Sequence, residues 1–217
     1  MPLHKIIIHD AATKVLLWKI TEDLQELFDR AVIADKTLFR LGSIKSEQHK
    51  KGILAVRLLL QHAGYSDNDL YYDAFGKPHL SDDTHISISH SHGFSSIILS
   101  DKITGIDLEL RRDKIAIIAE KFIEPSSQID KQTTDYISKL TVNWGVKEAV
   151  FKIRNEKGIS FKDHIDVMPF AMDDKKTTAY LHFNNLKREF SVYFDEIEEY
   201  SLVYLFENKS AELTAKY

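Results

Sequence analysis

Three strand signals follow one another between residues 85 and 110, with only short turns separating them. In the first, residues 85–89, isoleucine alternates with serine, so the isoleucines share one face and the serines share the other. The second covers residues 94–100 and the third covers residues 103–110. Because strands joined by short turns are antiparallel neighbours, this stretch predicts an antiparallel sheet rather than a parallel one.

Helices and further strands are predicted on both sides of this sheet. Thr21 is an N-cap residue for a helix that reaches about Arg30, and longer helices are predicted at residues 46–62 and 133–154. A shorter helical face ends before Pro125, where we expect the helix to stop. Additional strands are predicted around residues 6–8 and at residues 14–20, 178–183, 190–194 and 201–206. The chain is therefore assigned to the α+β class, with mainly antiparallel strands.

Composition narrows the classes of function. The 217 residues, 43% of them hydrophobic, suit one globular domain or two small lobes that share a core. The net charge of −4 disfavours broad binding to nucleic acid, and the absence of cysteine excludes disulfides and thiolate chemistry. The apolar run at residues 6–8 is too short for a signal sequence or a membrane span, so we expect a cytoplasmic protein without membrane contact.

Asp107 and Glu109 lie two residues apart on a predicted strand, so both side chains leave the same face, roughly 6–7 Å apart. Two carboxylates on one face repel each other unless a positive charge lies between them. A hard divalent cation such as Mg²⁺ prefers oxygen ligands and would satisfy both. The simpler alternative is a pair of solvated acids on an exposed strand.

The predicted helix around Trp144 has two different faces. The apolar residues of one arc, which we expect to face the core, are Val146, Ala149, Val150 and Ile153. The opposite arc combines aromatic with charged residues: Trp144, Lys147, Glu148, Phe151 and Lys152. A fully solvated face rarely carries two aromatic residues, so this arc is expected to line a site. The alternative is a simple surface ion pair between Glu148 and Lys152, which are four residues apart.

The segment 89–93 reads Ser-His-Ser-His-Gly and enters a turn at the end of a strand. A Ser–His nucleophile is disfavoured because adjacent strand residues point apart. Zinc binding by His85, His90 and His92 lacks further ligands at suitable spacing. The remaining options are phosphate binding by Ser89 and His90, or an ordinary polar turn.

Two basic segments complete the set of candidates. Gly76, Lys77 and Pro78 form a tight turn that carries one cation, and Lys51 and Arg57 give the helix at 46–62 some basic character. Taken singly, each is compatible with an ordinary solvated surface.

Four short motifs occur in a fixed order: G-K-P-x-L at residues 76–80, I-S-I-S-H-S at 86–91, G-I-D-L-E at 105–109 and W-x-x-K-E-A-x-x-K at 144–152. In order and spacing they resemble the 4′-phosphopantetheinyl transferase family, in particular its longer monomeric type, which activates peptide and polyketide synthetases. The resemblance covers about residues 45–165. One departure is Ser87, where the family usually has asparagine.

The resemblance implies a role for each candidate residue. Asp107, Glu109 and Glu148 look like the ligands of Mg²⁺, or of Mn²⁺, and Glu148 is also the candidate base. Lys152 looks like the contact to the pyrophosphate of coenzyme A. The other implied contacts to coenzyme A are Ser89 and His90 near the 3′-phosphate, the turn of Gly76, Lys77 and Pro78 beside the adenine, and Lys51, with Arg57 as second choice, from the preceding helix. Lys147 belongs to the motif without an assigned role.

The resemblance also implies a reaction and an architecture. The 4′-phosphopantetheine group of coenzyme A would pass to a serine of an acyl or peptidyl carrier protein, in lipid or secondary metabolite biosynthesis, with release of 3′,5′-ADP. Two similar α+β halves, residues 1–104 and 105–217, would be related by pseudo-twofold symmetry in a monomer with the site between them. Two alternatives stay open: another magnesium-dependent phosphate-ester hydrolase, and a catalytically silent protein that binds carrier proteins.

Overall fold

A computed structural model describes residues 3–124 and 129–208 of the chain. Its N-terminal part consists of strands and helices that end at Ser100. In chain order they are β1 (Leu3–Asp10), β2 (Thr13–Lys19), α1 (Leu24–Arg30), α2 (Asp35–Ser43), α3 (Glu47–Ala63), β3 (Leu70–Tyr72), β4 (Pro78–Leu80), β5 (His85–Ser91) and β6 (Phe94–Ser100).

The C-terminal part begins at Thr104 and has its own strands and helices. In chain order they are β7 (Thr104–Leu110), α4 (Lys114–Ile118), α5 (Tyr136–Arg154), α6 (Phe161–His164), β8 (Ile165–Val167), β9 (Lys176–Phe183), β10 (Leu186–Ile197) and β11 (Tyr200–Glu207). Single turns of 3₁₀-helix lie at Ala119–Lys121 and Met172–Asp174.

The strands form two main sheets and a small hairpin. The first sheet has the order β1-β2-β6-β5, the second has the order β7-β11-β10-β9-β8, and β3 pairs with β4. Every strand pair within the described residues is antiparallel. This combination of helices with antiparallel sheets agrees with the predicted α+β class, whereas the pseudo-twofold relation between the halves stays a prediction.

Each main sheet is covered by one long helix. α3 packs on the first sheet, and its ends carry standard caps: Ser46 accepts a hydrogen bond from the His49 amide, and Gly64 takes the left-handed conformation with φ of 93°. α5 packs on the second sheet. Its predicted apolar arc is confirmed, because Val146, Ala149, Val150 and Ile153 are all buried.

Several predicted boundaries shift. α1 begins after Asp23 rather than Thr21, because the Asp23 carboxylate accepts the Glu26 amide in a capping box. α5 begins at Tyr136, since Thr133 is engaged in a turn with Asp130. α2 and the short strands β3, β4 and β8 were not predicted. The predicted stop at Pro125 lies outside the described residues.

The two main sheets meet along their edge strands β5 and β7. These strands belong to different sheets, and serine hydroxyls join them. Ser87 Oγ accepts the Ile106 amide at 3.1 Å, and Ser89 Oγ accepts the Leu108 amide at 3.2 Å. The polar face of the alternating segment therefore satisfies backbone donors of β7 that would otherwise be unpaired at a sheet edge.

Two glycines allow α5 to lie directly against the second sheet. A Cβ atom on Gly105 of β7 would collide with the Ala149 carbonyl oxygen of α5. A Cβ on Gly145 of α5 would lie 2.9 Å from Val203 Cγ2 of β11, which is closer than normal packing permits. The absence of side chains thus lets α5 lie close to β7 at Gly105 and close to β11 at Gly145.

We predict that Gly105→Ala lowers the free energy of unfolding by about 2 kcal/mol or more, because α5 has to move away from β7. Gly42→Ala is the matched control, since its Cβ meets no atom within 4 Å and alanine favours the helix. Urea denaturation of both variants measures the effect. Equal stability of the two variants would contradict the close packing at Gly105.

Candidate functional site

A cavity of about 510 Å³ lies where the N-terminal and C-terminal parts meet. It is lined by all the predicted site residues except Lys51: Gly76, Lys77, Pro78, Ser89, His90, Asp107, Glu109, Glu148 and Lys152. The structure thus brings together four motifs that are separated along the chain. A cavity with a few converging charged groups is the usual form of a small-molecule site.

Asp107 is the most buried acid of the cavity, with an exposed fraction of 4%. Its Oδ1 atom receives hydrogen bonds from Lys152 Nζ at 2.7 Å and from Ser89 Oγ at 2.9 Å. Its Oδ2 atom is buried without a hydrogen-bond partner among the described residues. Lys152 therefore pairs with Asp107, and the surface ion pair between Glu148 and Lys152 is not what the structure shows.

The other two carboxylates, Glu109 and Glu148, are half-buried. Burial raises the pKa of Glu109 to about 7, with the negative charge of Asp107 as the second cause. Burial and then the charge of Asp107 also raise the pKa of Glu148. The charge of Asp107 therefore opposes the ionisation of both glutamates, and Lys152 offsets this only in part.

This donor set suits a divalent cation. Asp107 Oδ2 is a buried oxygen without a partner, and Glu109 and Glu148 supply further oxygens in the lining of the same cavity. Within residues 3–124 and 129–208, no three histidine or acidic side chains are already arranged as a ligand group. Glu109 and Glu148 would have to rotate toward Asp107 for the three to share one ion.

The basic side of the cavity carries His90 and a residue that sequence reasoning missed, Arg40. The His90 side chain packs on Gly52 of α3, and its ring centroid lies 5.3 Å from that of His49. Burial of part of the ring, and then the basic groups around it, lower the pKa of His90. Arg40 of α2 lines the cavity with its guanidinium 5.0 Å from the Tyr72 ring centroid. Because α2 itself was not predicted, no sequence signal pointed to Arg40.

The two basic residues predicted on α3 lie elsewhere. Lys51 is outside the cavity lining and faces Glu47, with 3.4 Å between Nζ and Oε1. Arg57 touches the cavity, but its guanidinium is buried and held by Asp67 at 2.5 Å and by Thr37 at 3.1 Å. A buried guanidinium with these partners serves the packing of α3.

The turn at residues 76–78 is tied to the C-terminal end of α5. Gly76 has φ of 82°, which favours glycine. Lys77 Nζ donates to the Ile153 carbonyl at 2.8 Å, and Asn155 Nδ2 donates to the Phe75 carbonyl at 2.9 Å. Burial lowers the pKa of Lys77. The turn therefore closes one end of the cavity as a fixed wall.

The residues of the predicted polar arc of α5 lie partly in the cavity and partly in the core. Phe151 lines the cavity beside Glu148 and Lys152. Lys147 is instead buried, and its ammonium donates to the carbonyls of Phe161, at 2.6 Å, and Ile165. Trp144 packs between the rings of Phe122 and Phe161. Within the motif, Lys147 and Trp144 thus hold the segment around α6.

Comparison with known proteins gives one informative similarity. No protein-family profile matches the chain. The chain is 26% identical over 152 residues to a protein of Aneurinibacillus migulanus named 4′-phosphopantetheinyl transferase gsp. The aligned part is 68% of this chain and 62% of that protein, so the chain spans less than two thirds of the relative's length. The chain is thus similar to a protein named as a transferase, which supports an enzyme of that kind. Among the described residues, no helix is both long and apolar enough to cross a membrane.

We predict that Glu109→Gln stabilises the protein above neutral pH when divalent metals are removed by a chelator. The pKa of Glu109 rises from 4.5 in the unfolded chain to about 7 in the fold, so ionisation opposes folding. The stabilising contribution of the protonated Glu109 side chain is complete below about pH 4.5 and is lost as the pH rises through 7.

The difference in free energy of unfolding between Glu109→Gln and the native protein should therefore be small at pH 4.5. At pH 8 it should reach about 2 kcal/mol in favour of the variant. Urea denaturation at both pH values checks this. A difference that does not change with pH would contradict the raised pKa.

Proposed function

We propose that this protein transfers the 4′-phosphopantetheine group of coenzyme A to a serine of an acyl or peptidyl carrier protein. The observation that carries the proposal is that Asp107, Glu109, Glu148 and Lys152 line one cavity together with His90 and Arg40. Similarity to a named 4′-phosphopantetheinyl transferase supports it.

In the proposed reaction the hydroxyl of the carrier serine attacks the β-phosphorus of coenzyme A, and 3′,5′-ADP leaves. Phosphoryl transfer depends mainly on in-line placement and on neutralising the charge of the phosphate oxygens. The cavity can supply this neutralisation, because its lining combines three carboxylates suited to a cation with the basic side chains of Lys152 and Arg40.

Asp107, Glu109 and Glu148 would hold Mg²⁺, or Mn²⁺, and the ion when bound would neutralise charge that develops on the phosphates. Lys152 already lies at Asp107 Oδ1, so its ammonium adds a second positive charge beside the same oxygens. Glu148 is the proposed base for the serine hydroxyl, because it reaches the cavity from α5 whereas the other two carboxylates come from β7.

The nucleotide end of coenzyme A is proposed to lie beside His90 and Arg40 in the same cavity. His90 and Arg40 would contact the 3′-phosphate, and the turn of Gly76, Lys77 and Pro78 would lie beside the adenine. Arg40 takes the place that the sequence suggested for Lys51. We also propose that the protein is a cytoplasmic monomer and that its two halves are residues 1–104 and 105–217.

Intact mass of an unmodified carrier protein, incubated with this protein, coenzyme A and Mg²⁺, tests the function directly. We expect the carrier to gain one phosphopantetheine group, and a carrier with its acceptor serine replaced by alanine to gain none. Hydrolysis of coenzyme A without carrier modification would favour a phosphate-ester hydrolase. Carrier binding with neither reaction would favour a catalytically silent protein.

We predict that His90→Ala and Arg40→Ala each raise KM for coenzyme A about tenfold more than KM for dephospho-coenzyme A. Each change removes a donor or cation proposed to contact the 3′-phosphate, which only coenzyme A carries. Lys51→Ala is the comparison, since Lys51 lies outside the cavity and should leave the ratio of the two KM values unchanged. Equal losses on both substrates in His90→Ala would show that His90 is structural.

A further inference from the structure

The Ser89 hydroxyl lies between the backbone of β7 and the carboxylate of Asp107. Ser89 Oγ accepts the Leu108 amide at 3.2 Å and donates to Asp107 Oδ1 at 2.9 Å. The serine is buried, with an exposed fraction of 7%, and the carboxylate is buried as well. The backbone of Ser89 is fixed, because Ser89 lies opposite Ser96 in the antiparallel pair of β5 and β6.

A serine hydroxyl has one hydrogen to donate and two lone pairs with which to accept. In this structure the hydrogen of Ser89 goes to Asp107, and one lone pair receives the Leu108 amide. No donor capacity is left for a phosphate oxygen of a bound nucleotide. This arrangement differs from the phosphate contact that the sequence resemblance implied for Ser89.

The same bond decides which oxygen of Asp107 is free. Ser89 and Lys152 both hold Oδ1, so Oδ2 is left without a partner. Gly145 of α5 lies on that side of the carboxylate, where an added Cβ would be in van der Waals contact with Oδ2 at 3.5 Å. An oriented carboxylate with one free oxygen binds a cation better than one that must first be ordered.

We propose that Ser89 is a positioning residue that orients Asp107 for a divalent cation, and that it is not a ligand of the nucleotide. This inference rests on the proposed metal-dependent transfer and concerns the same site. Ser89 acts through Asp107 alone, and the basic contacts to the nucleotide are left to His90 and Arg40.

Ser87 is a matched control on the same face of β5. It is also buried, and its hydroxyl also accepts a backbone amide of β7, from Ile106 at 3.1 Å. Unlike Ser89, it has no bond to a carboxylate within the described part of the chain. Ser87→Ala and Ser89→Ala therefore remove a similar backbone contact, but only Ser89→Ala also removes a hydrogen bond to Asp107.

The test is the affinity of the whole protein for Mn²⁺ alone, measured by electron paramagnetic resonance without coenzyme A or carrier protein. We expect Ser89→Ala to raise the Kd for Mn²⁺ about tenfold, as is usual when a partner of a metal ligand is removed. Ser87→Ala should change it by no more than about twofold. Thermal unfolding shows whether the variants fold, and Ser89→Cys, with a weaker donor of similar size, should give an intermediate Kd.

Two results would overturn the inference. One is a Kd for Mn²⁺ that rises no more in Ser89→Ala than in Ser87→Ala. The other is a loss of binding in Ser89→Ala that is larger for coenzyme A than for dephospho-coenzyme A, which would make Ser89 a contact of the 3′-phosphate. Native protein that binds Mn²⁺ but does not modify carriers would refute the proposed transfer while leaving the role of Ser89 intact.

Discussion

The close contact between α5 and β7 is the constraint on which the rest of the structure depends. Gly105 of β7 carries no side chain, so the helix backbone reaches this strand directly, and Gly145 of α5 allows the same close approach to Val203 of β11. Lys152 on the helix can then bond to both the Ile106 carbonyl and the Asp107 carboxylate on the strand. With a larger separation these groups would be unpaired and buried, which is costly. The two glycines are therefore needed for the geometry of the site as well as for the packing of α5.

The junction of the two sheets has a second effect. Serine side chains, rather than a continuous backbone ladder, join β5 to β7. Hydroxyls can serve backbone and carboxylate groups at once, whereas carbonyls and amides in a ladder are fully used by each other. A polar cavity can therefore form at this edge without leaving many backbone groups unsatisfied. The alternation of isoleucine and serine in residues 85–91 provides both the core face and this polar face.

Structural features that depend on periodicity and spacing along the chain were predicted well from the sequence. Strand β6 and the buried arc of α5 follow directly from apolar patterning. The shared position of the acids with Lys152 and His90 follows from motif order. Arg40 was missed because α2 is short and largely polar, and Lys147 was not recognised as structural because its partners are carbonyls of a distant segment. Contacts that depend on the path of the chain in space leave no periodic trace in the sequence.

The links between the turn at residues 76–78 and the end of α5 have a consequence for how this sequence can change over time. Lys77 and Asn155 each bond to a backbone carbonyl contributed by the other segment, although the two segments lie far apart along the chain. Because the acceptors are carbonyls, the exposed side chain at Phe75 can change without loss of its bond. Ile153 is constrained separately, by its burial in the core. Lys77 and Asn155 are constrained because each supplies a side-chain donor. Among related sequences, variation should therefore be tolerated at position 75 and restricted at positions 77, 153 and 155.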